Sequence, residues 1–156
     1  MTTVSIFRLI NILLAALLAG ASFGIWMGFN PENYSAATYL EQQVNLVQSL
    51  HTLMVTMVIL ATLTSLIVAY LQRHIKYVCI SMIAAAGFFA ACIFISRFGN
   101  LPIQTEMLSW RIDTIPDNWT VLRDKWWSLH IMRTIAELMA LILVASTNVI
   151  NYPASK

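Results

Sequence analysis

Charged residues are scarce in this sequence. Of its 156 residues, 10% are charged and 59% are hydrophobic, and the mean hydropathy is +0.73. So apolar a composition excludes most soluble globular classes and indicates an integral membrane protein. Basic runs are also missing, and a net charge of +2 is too small to attract nucleic acid. We therefore expect the lipid bilayer as a partner and no nucleic acid.

Metal-ligand patterns are equally scarce. No His-x-x-x-His, Glu-x-x-His or Cys-x-x-Cys spacing occurs, so a dedicated zinc or di-iron site is not expected. The two cysteines, Cys79 and Cys92, lie in one apolar run. On a helix they would be ~20 Å apart, which is too far for a disulfide within the chain.

Four long apolar runs dominate what is present. They predict an all-α, four-transmembrane-helix bundle that forms a single membrane domain over residues 1–156. The predicted spans cover about 6–29, 44–71, 77–97 and 126–150. The first run is too long for a signal-peptide core, so we interpret it as a retained span. The segment 97–125 between helices 3 and 4 is predicted to be a structured loop.

The loops favour one orientation. The tight turn between spans two and three carries Arg73 and Lys76, whereas the 29–43 connection has no Lys or Arg. Basic residues in short loops stay on the cytoplasmic side. The pattern predicts a protein of the plasma (inner) membrane with both termini in the cytoplasm and the 97–125 loop outside.

One stretch carries ionisable groups into the fourth span. Trp126, His130, Arg133 and Glu137 are spaced by four, three and four residues, so they form one helix face, here called the α5 stripe. Such groups usually face the interior of a membrane bundle. The alternatives are purely structural roles: an interfacial aromatic belt for the tryptophans and an ion pair for Arg133 and Glu137. The combination on one face favours a functional site.

The same stretch carries a family resemblance. GNLPIQTEMLSW (99–110) and DNWTVLRDKWWSLHIMRTIAE (117–137), with EQQVNLVQSLHTLM (41–54), resemble the anthrone oxygenase-like family of small four-span membrane proteins. Gln104 stands where the family usually has a second Asn. The matching positions are Gly99, Asn100, Pro102, Gln104, Trp126, His130 and Arg133.

The resemblance implies an oxygenase or oxidoreductase that acts with O2 on a lipophilic aromatic substrate, such as an anthrone. No cofactor is implied, because a deprotonated anthrone can itself reduce O2. His130 is the expected base, Arg133 would hold the oxyanion and Glu137 would fix Arg133. Predicted substrate-binding residues are Trp126, Trp127, Asn100 and Gln104.

Two other interpretations stay open at this stage. The chain can instead be a non-catalytic accessory subunit of a larger membrane complex or a homo-oligomer. Alternatively, His51 and His130 on separate helices can clamp a haem, in a haem- or quinone-binding protein. Those two histidines would also be the ligands of any bound metal.

Overall fold

A computed structural model describes residues 2–149, and these residues form helices and turns without a strand. Five α-helices follow one another, with a π-helical turn at Ser96–Asn100 and 3-10 turns at Pro31–Asn33 and Ile112–Thr114. The end of the fourth predicted span, Ile150, lies outside the described residues. The α-helices are α1 (Thr3–Gly28), α2 (Ala36–Leu71), α3 (Lys76–Ile95), α4 (Leu101–Met107) and α5 (Trp119–Val149).

The four long helices form a ring in which each packs against two neighbours. α1 contacts α2 and α5, and α3 contacts α2 and α5. Small and medium apolar side chains such as Ala61, Ala85 and Ala140 are fully buried between them, while Leu17, Ile80 and Ile142 point outward and are exposed. Each helical stretch is long and apolar enough to cross a bilayer. The structure therefore confirms the predicted all-α four-helix membrane bundle, and the chain is an integral membrane protein.

The second span begins well before the hydrocarbon. Ser35 caps α2, because its hydroxyl accepts a hydrogen bond from the Thr38 backbone N–H at 3.3 Å. α2 has 36 residues, which corresponds to ~54 Å, whereas the hydrocarbon core is ~30 Å thick. The polar first part of α2 therefore lies outside that core, and His51, 20 residues before Leu71, lies near its boundary.

The third span is longer than predicted. The sequence indicated a span ending near residue 97 and a loop beyond it, but the helical path continues through the π turn into α4 and ends at Met107. Pro102 explains the turn, because a proline removes a helical donor and crowds the carbonyl four residues earlier. In the π turn the Leu101 N–H bonds to the Ser96 carbonyl, five residues back, so the helix passes the proline without breaking.

Gly99 lets this turn approach α5 closely. A Cβ placed on Gly99 would lie 2.9 Å from Cδ1 of Leu129. The short distance brings the backbone of the π turn against α5, where Asn100 donates a hydrogen bond from Nδ2 to the Trp126 carbonyl at 3.2 Å. The Gly-Asn pair therefore joins the top of α3 to the start of the fourth span.

A polar contact inside the membrane ties α1 to α2. Asn11 is fully buried, and its Nδ2 donates to the hydroxyls of Thr64 and Ser65 at 2.9 and 2.8 Å. Both hydroxyls donate in turn to carbonyls of their own helix. Asn11 is thus a helix-packing residue, in keeping with its position in an apolar span.

Candidate functional site

The bundle contains a cavity of about 240 Å³ near the end that lies away from the 72–75 turn. One buried water needs only ~10–15 Å³, so the space suits a larger guest. α2, α3, the π turn, α4 and α5 supply most of its wall, and α1 contributes Leu18 and Ile25. The polar lining residues are His51, Ser96, Arg97, Asn100, Gln104, Trp126, His130, Arg133 and Glu137, and the remaining wall is apolar apart from Cys92.

The whole α5 stripe lines this cavity. The helical spacing that placed Trp126, His130, Arg133 and Glu137 on one face also turns that face inward, and all but Arg133 are buried. The Trp126 and His130 rings stack with their centroids 5.3 Å apart and their planes 6° apart. Trp127 stacks on His130 at 5.5 Å but is absent from the cavity wall. It therefore supports the aromatic wall from behind.

Arg133 is held by three neighbours. Its Nη2 donates to Nδ1 of His130 at 3.2 Å, and its Nη1 donates to Oγ of Ser96 at 3.3 Å. Its Nε lies 3.6 Å from Oε1 of Glu137, which makes an ion pair rather than a hydrogen bond. The guanidinium is therefore fixed from two helices while 17% of its side chain stays exposed, against 2% for Glu137.

His130 is enclosed completely, with no exposed surface. Its Nε2 lies 3.2 Å from the Ser22 carbonyl oxygen of α1. A carbonyl only accepts and a guanidinium only donates, so Nε2 carries the proton and Nδ1 accepts from Arg133. Both ring nitrogens are therefore engaged, and the ring could take a proton from a substrate only after releasing Arg133. This geometry disfavours the predicted role of His130 as the base.

Several buried polar atoms of the lining residues have no hydrogen-bond partner within residues 2–149. They are Oε2 of Glu137, Nε1 of Trp126, Oδ1 of Asn100 and Nε of Arg133. The Ser22 hydroxyl lies beside the Glu137 carboxyl but outside hydrogen-bonding geometry. A buried polar atom without a partner costs about 1–3 kcal/mol. Two donors and two acceptors of the cavity-lining residues are therefore buried without a partner among the described residues.

The two amides predicted from the motif differ in what they can offer. One N–H of the Asn100 Nδ2 already donates to the Trp126 carbonyl, so this amide fixes the wall, and its buried Oδ1 has no partner within residues 2–149. Gln104 lies one turn further along, lines the cavity and is half-buried. Of the two predicted amide donors, Gln104 is the one whose N–H groups are free for a ligand.

The haem interpretation is disfavoured by the same hydrogen bonds that disfavour His130 as the base. His51 and His130 do line one cavity, but both nitrogens of His130 already have partners. A haem iron would have to displace Arg133 or the Ser22 carbonyl to bind this ring.

Three residues of the site were not predicted from the sequence. Ser96 holds Arg133, the Ser22 carbonyl fixes His130, and Arg97 lines the cavity. Ser96 and Arg97 lie three and two residues before Gly99 of the Gly-Asn motif, so their proximity to it was a usable signal. No sequence signal links Ser22 to His130, because that contact joins helices 108 residues apart.

Comparison with known proteins assigns the family. A family model described as anthrone oxygenase matches residues 46–143. The match includes α3, α4, the π turn and the α5 stripe, and it leaves out α1. Neither the curated proteins nor the solved structures contain a match. Because the family model covers more than half of the chain, this four-helix membrane protein, with its oxygenase-like function, belongs to the anthrone oxygenase family.

Proposed function

We propose that the cavity oxidises a lipophilic aromatic substrate of the anthrone type with O2. Such a substrate has a carbonyl conjugated through aromatic rings to an acidic methylene group. A base removes one proton, and the electron pair spreads onto the carbonyl oxygen. The carbanion then reduces O2 and forms a peroxide at the same carbon, which loses water to leave a second carbonyl. One CH2 group and one O2 thus become one C=O group and one water.

Arg133 is the observation that carries this proposal. A guanidinium held from three sides beside an apolar cavity is a preorganised site for negative charge that develops on an oxygen. The low polarity of the cavity strengthens the attraction between this guanidinium and a negatively charged oxygen. Glu137 and His130 then act as positioning residues, because each fixes one edge of the guanidinium and neither has an exposed side chain.

The aromatic wall suits a flat guest. Trp126 is backed by the stacked rings of His130 and Trp127, so its plane is held in one orientation. Offset stacking against a fused-ring substrate favours such a surface. The half-buried Gln104 amide can donate to a second oxygen of the substrate. We propose no cofactor, because the carbanion itself supplies the electrons for O2.

The substrate reaches the cavity from the bilayer in this proposal. Four of the lining residues are exposed on the outer surface of the bundle: His51, Val55 and Ile59 on α2 and Arg97 at the end of α3. We call this group the mouth. Val55 and Ile59 lie deeper in the span than His51, so a flat apolar molecule could slide between α2 and α3 without crossing water.

Oxygen consumption by the purified protein tests the proposal. Anthrones also oxidise slowly without a catalyst, so protein-free vesicles give the background. We expect O2 uptake and quinone absorbance to rise together, linearly with the protein concentration. Arg133→Lys keeps the charge but loses the planar fork, and it should lower turnover by ~10²-fold. Arg111→Lys is the matched control, because Arg111 lies in the exposed segment outside the cavity.

Two results would contradict the proposal or the role that it gives to Arg133. Wild-type rates equal to those of protein-free vesicles, with several anthrones, would contradict the proposal and favour the accessory-subunit interpretation. Equal turnover by wild type and Arg133→Lys would remove Arg133 from the mechanism.

A further inference from the structure

The proposed reaction needs a proton acceptor that can contact the substrate. Three lining side chains are basic enough to take a proton from an activated methylene: His51, His130 and Glu137. His130 is fully buried, and both of its nitrogens are engaged. Glu137 is 1% exposed and directs Oε1 at Arg133. The second carboxylate oxygen of Glu137, Oε2, has no partner within residues 2–149 but is buried, so neither side chain presents an accessible lone pair to a molecule in the cavity.

His51 differs from both in its surroundings. It is exposed, it lines the cavity, and within residues 2–149 it takes part in no hydrogen bond or ion pair. Its imidazole therefore keeps a free lone pair. The charged or titratable groups that share the cavity with it are Cys92 of α3, Arg97 of the π turn, and His130, Arg133 and Glu137 of α5.

The helix register places His51 at the depth of Arg133. α2 and α3 run antiparallel and are joined by the short 72–75 turn. His51 lies 20 residues before Leu71, and Ser96 lies 20 residues after Lys76, so both stand ~30 Å above the turn. Ser96 hydrogen-bonds to Arg133. A ring in the cavity can thus face His51 from α2 and Arg133 from α5 at once.

We propose that His51 is the catalytic base that deprotonates the substrate. This inference rests on the proposed function and adds a residue to it. In the step, a C–H bond of the methylene breaks and its proton moves to the free imidazole nitrogen. The electron pair stays on the substrate and is delocalised onto the oxygen that faces Arg133. After O2 adds to the carbanion, the imidazolium returns the proton to the peroxide anion, and loss of water gives the carbonyl.

The position of His51 also suits the positive charge that its ring carries after it takes the proton. It lies at the mouth near the hydrocarbon boundary, where water is available to exchange protons with the ring. His130 and Glu137 are sealed from water. A base at the mouth can therefore hold the proton until it returns it to the peroxide anion, without placing its positive charge in the apolar interior.

Single-turnover oxidation of an anthrone by variants of the full chain in lipid vesicles tests the assignment. We expect His51→Gln to slow quinone formation by ~10²–10⁴-fold. His74→Gln is the matched control, since His74 lies in the exposed turn at the opposite end of α2, and it should react like wild type. Imidazole added to His51→Ala should restore rate in proportion to its concentration, because the missing ring lies at an open mouth. Quenching of tryptophan fluorescence by an anthraquinone reports that each variant still binds.

The outcomes separate this inference from the one it rests on. Unchanged turnover by His51→Gln beside an active wild type would overturn the role of His51 and leave the oxygenase proposal standing. Loss of turnover together with loss of anthraquinone binding would also overturn it, since His51 would then bind rather than deprotonate. Absence of turnover in wild type would overturn both.

Discussion

Arg133 keeps a full positive charge inside an apolar bundle, and its environment explains how. Glu137 supplies a counter-charge one helical turn away. Ser96 and His130 accept hydrogen bonds from the Arg133 guanidinium. Charged groups at this depth are costly unless they are paired. The pair therefore has two effects, since it lowers the cost of a guanidinium in the apolar bundle and fixes its orientation at the cavity.

A double-variant experiment separates these purposes. Arg133→Gln leaves the buried Glu137 carboxyl without its cation, and we expect it to lower the free energy of unfolding by about 3–5 kcal/mol. Adding Glu137→Gln removes the orphaned charge and should recover most of that loss, while quinone formation stays abolished. Denaturant unfolding in micelles gives the free energies. Independent, additive destabilisation by the two changes would contradict a coupled pair.

At this scale the sequence indicated much of the site. The spacing of Trp126, His130, Arg133 and Glu137 predicted one face, and the structure brings that face to one cavity. The chemical roles were harder to predict, because they depend on partners far away in the chain. The Ser22 carbonyl occupies the nitrogen of His130 that faces α1, and nothing in the local pattern of α5 indicates it. These partners of His130 disfavour the predicted role as the base, and we propose that it positions Arg133 instead.

Among the elements, the π turn at Ser96–Asn100 does most to shape the site. It carries Ser96 toward Arg133, Asn100 toward the α5 backbone and Gln104 toward the cavity. π turns are frequent at functional sites because the extra residue re-aims the side chains that follow. The segment 97–125 was predicted to be a loop, but at its start Pro102 follows a wide turn within a continuing helix.

Replacing Pro102 tests this role. In Pro102→Ala the new amide can bond to the Phe98 carbonyl, so a regular α-helix becomes available and residues beyond it rotate by ~100°. Gln104 would then leave the cavity wall. We expect turnover to fall roughly 10–100-fold, since small misplacements of positioning groups carry that cost, without loss of thermal stability. Pro116→Ala, in the turn before α5, is the control; full activity in Pro102→Ala would contradict the account.

For the molecule as a whole, the arrangement of the ring determines where the cavity opens. Between the 72–75 turn and the cavity, the described helices pack around small, fully buried residues such as Ala61 and Ala140, while the opposite end of the bundle widens around the polar lining. The apolar runs predicted this ring, because each span is long enough to cross the bilayer. They could not predict the cavity, since its volume depends on how the side chains of several helices meet.

The side of the membrane that receives the cavity is a further prediction. Arg73 and Lys76 at the 72–75 turn favour a cytoplasmic position for that turn, which places the cavity in the outer leaflet of the plasma (inner) membrane. Single cysteines at His74 and Asp113, in a Cys79→Ser, Cys92→Ser background, would report it. A membrane-impermeant maleimide added to intact cells should label the cysteine at 113 and spare the one at 74. Labelling of the cysteine at 74 alone would reverse the orientation.

We propose that this membrane bundle itself transfers oxygen from O2 to an anthrone-type substrate. The most direct test is quinone formation under ¹⁸O2 by the purified protein in lipid vesicles, followed by mass spectrometry at several protein concentrations. The account predicts one labelled oxygen per quinone, formed at a rate that rises in proportion to the protein and falls in Arg133→Lys. Labelled quinone that forms at the vesicle-only rate at every protein concentration would contradict it.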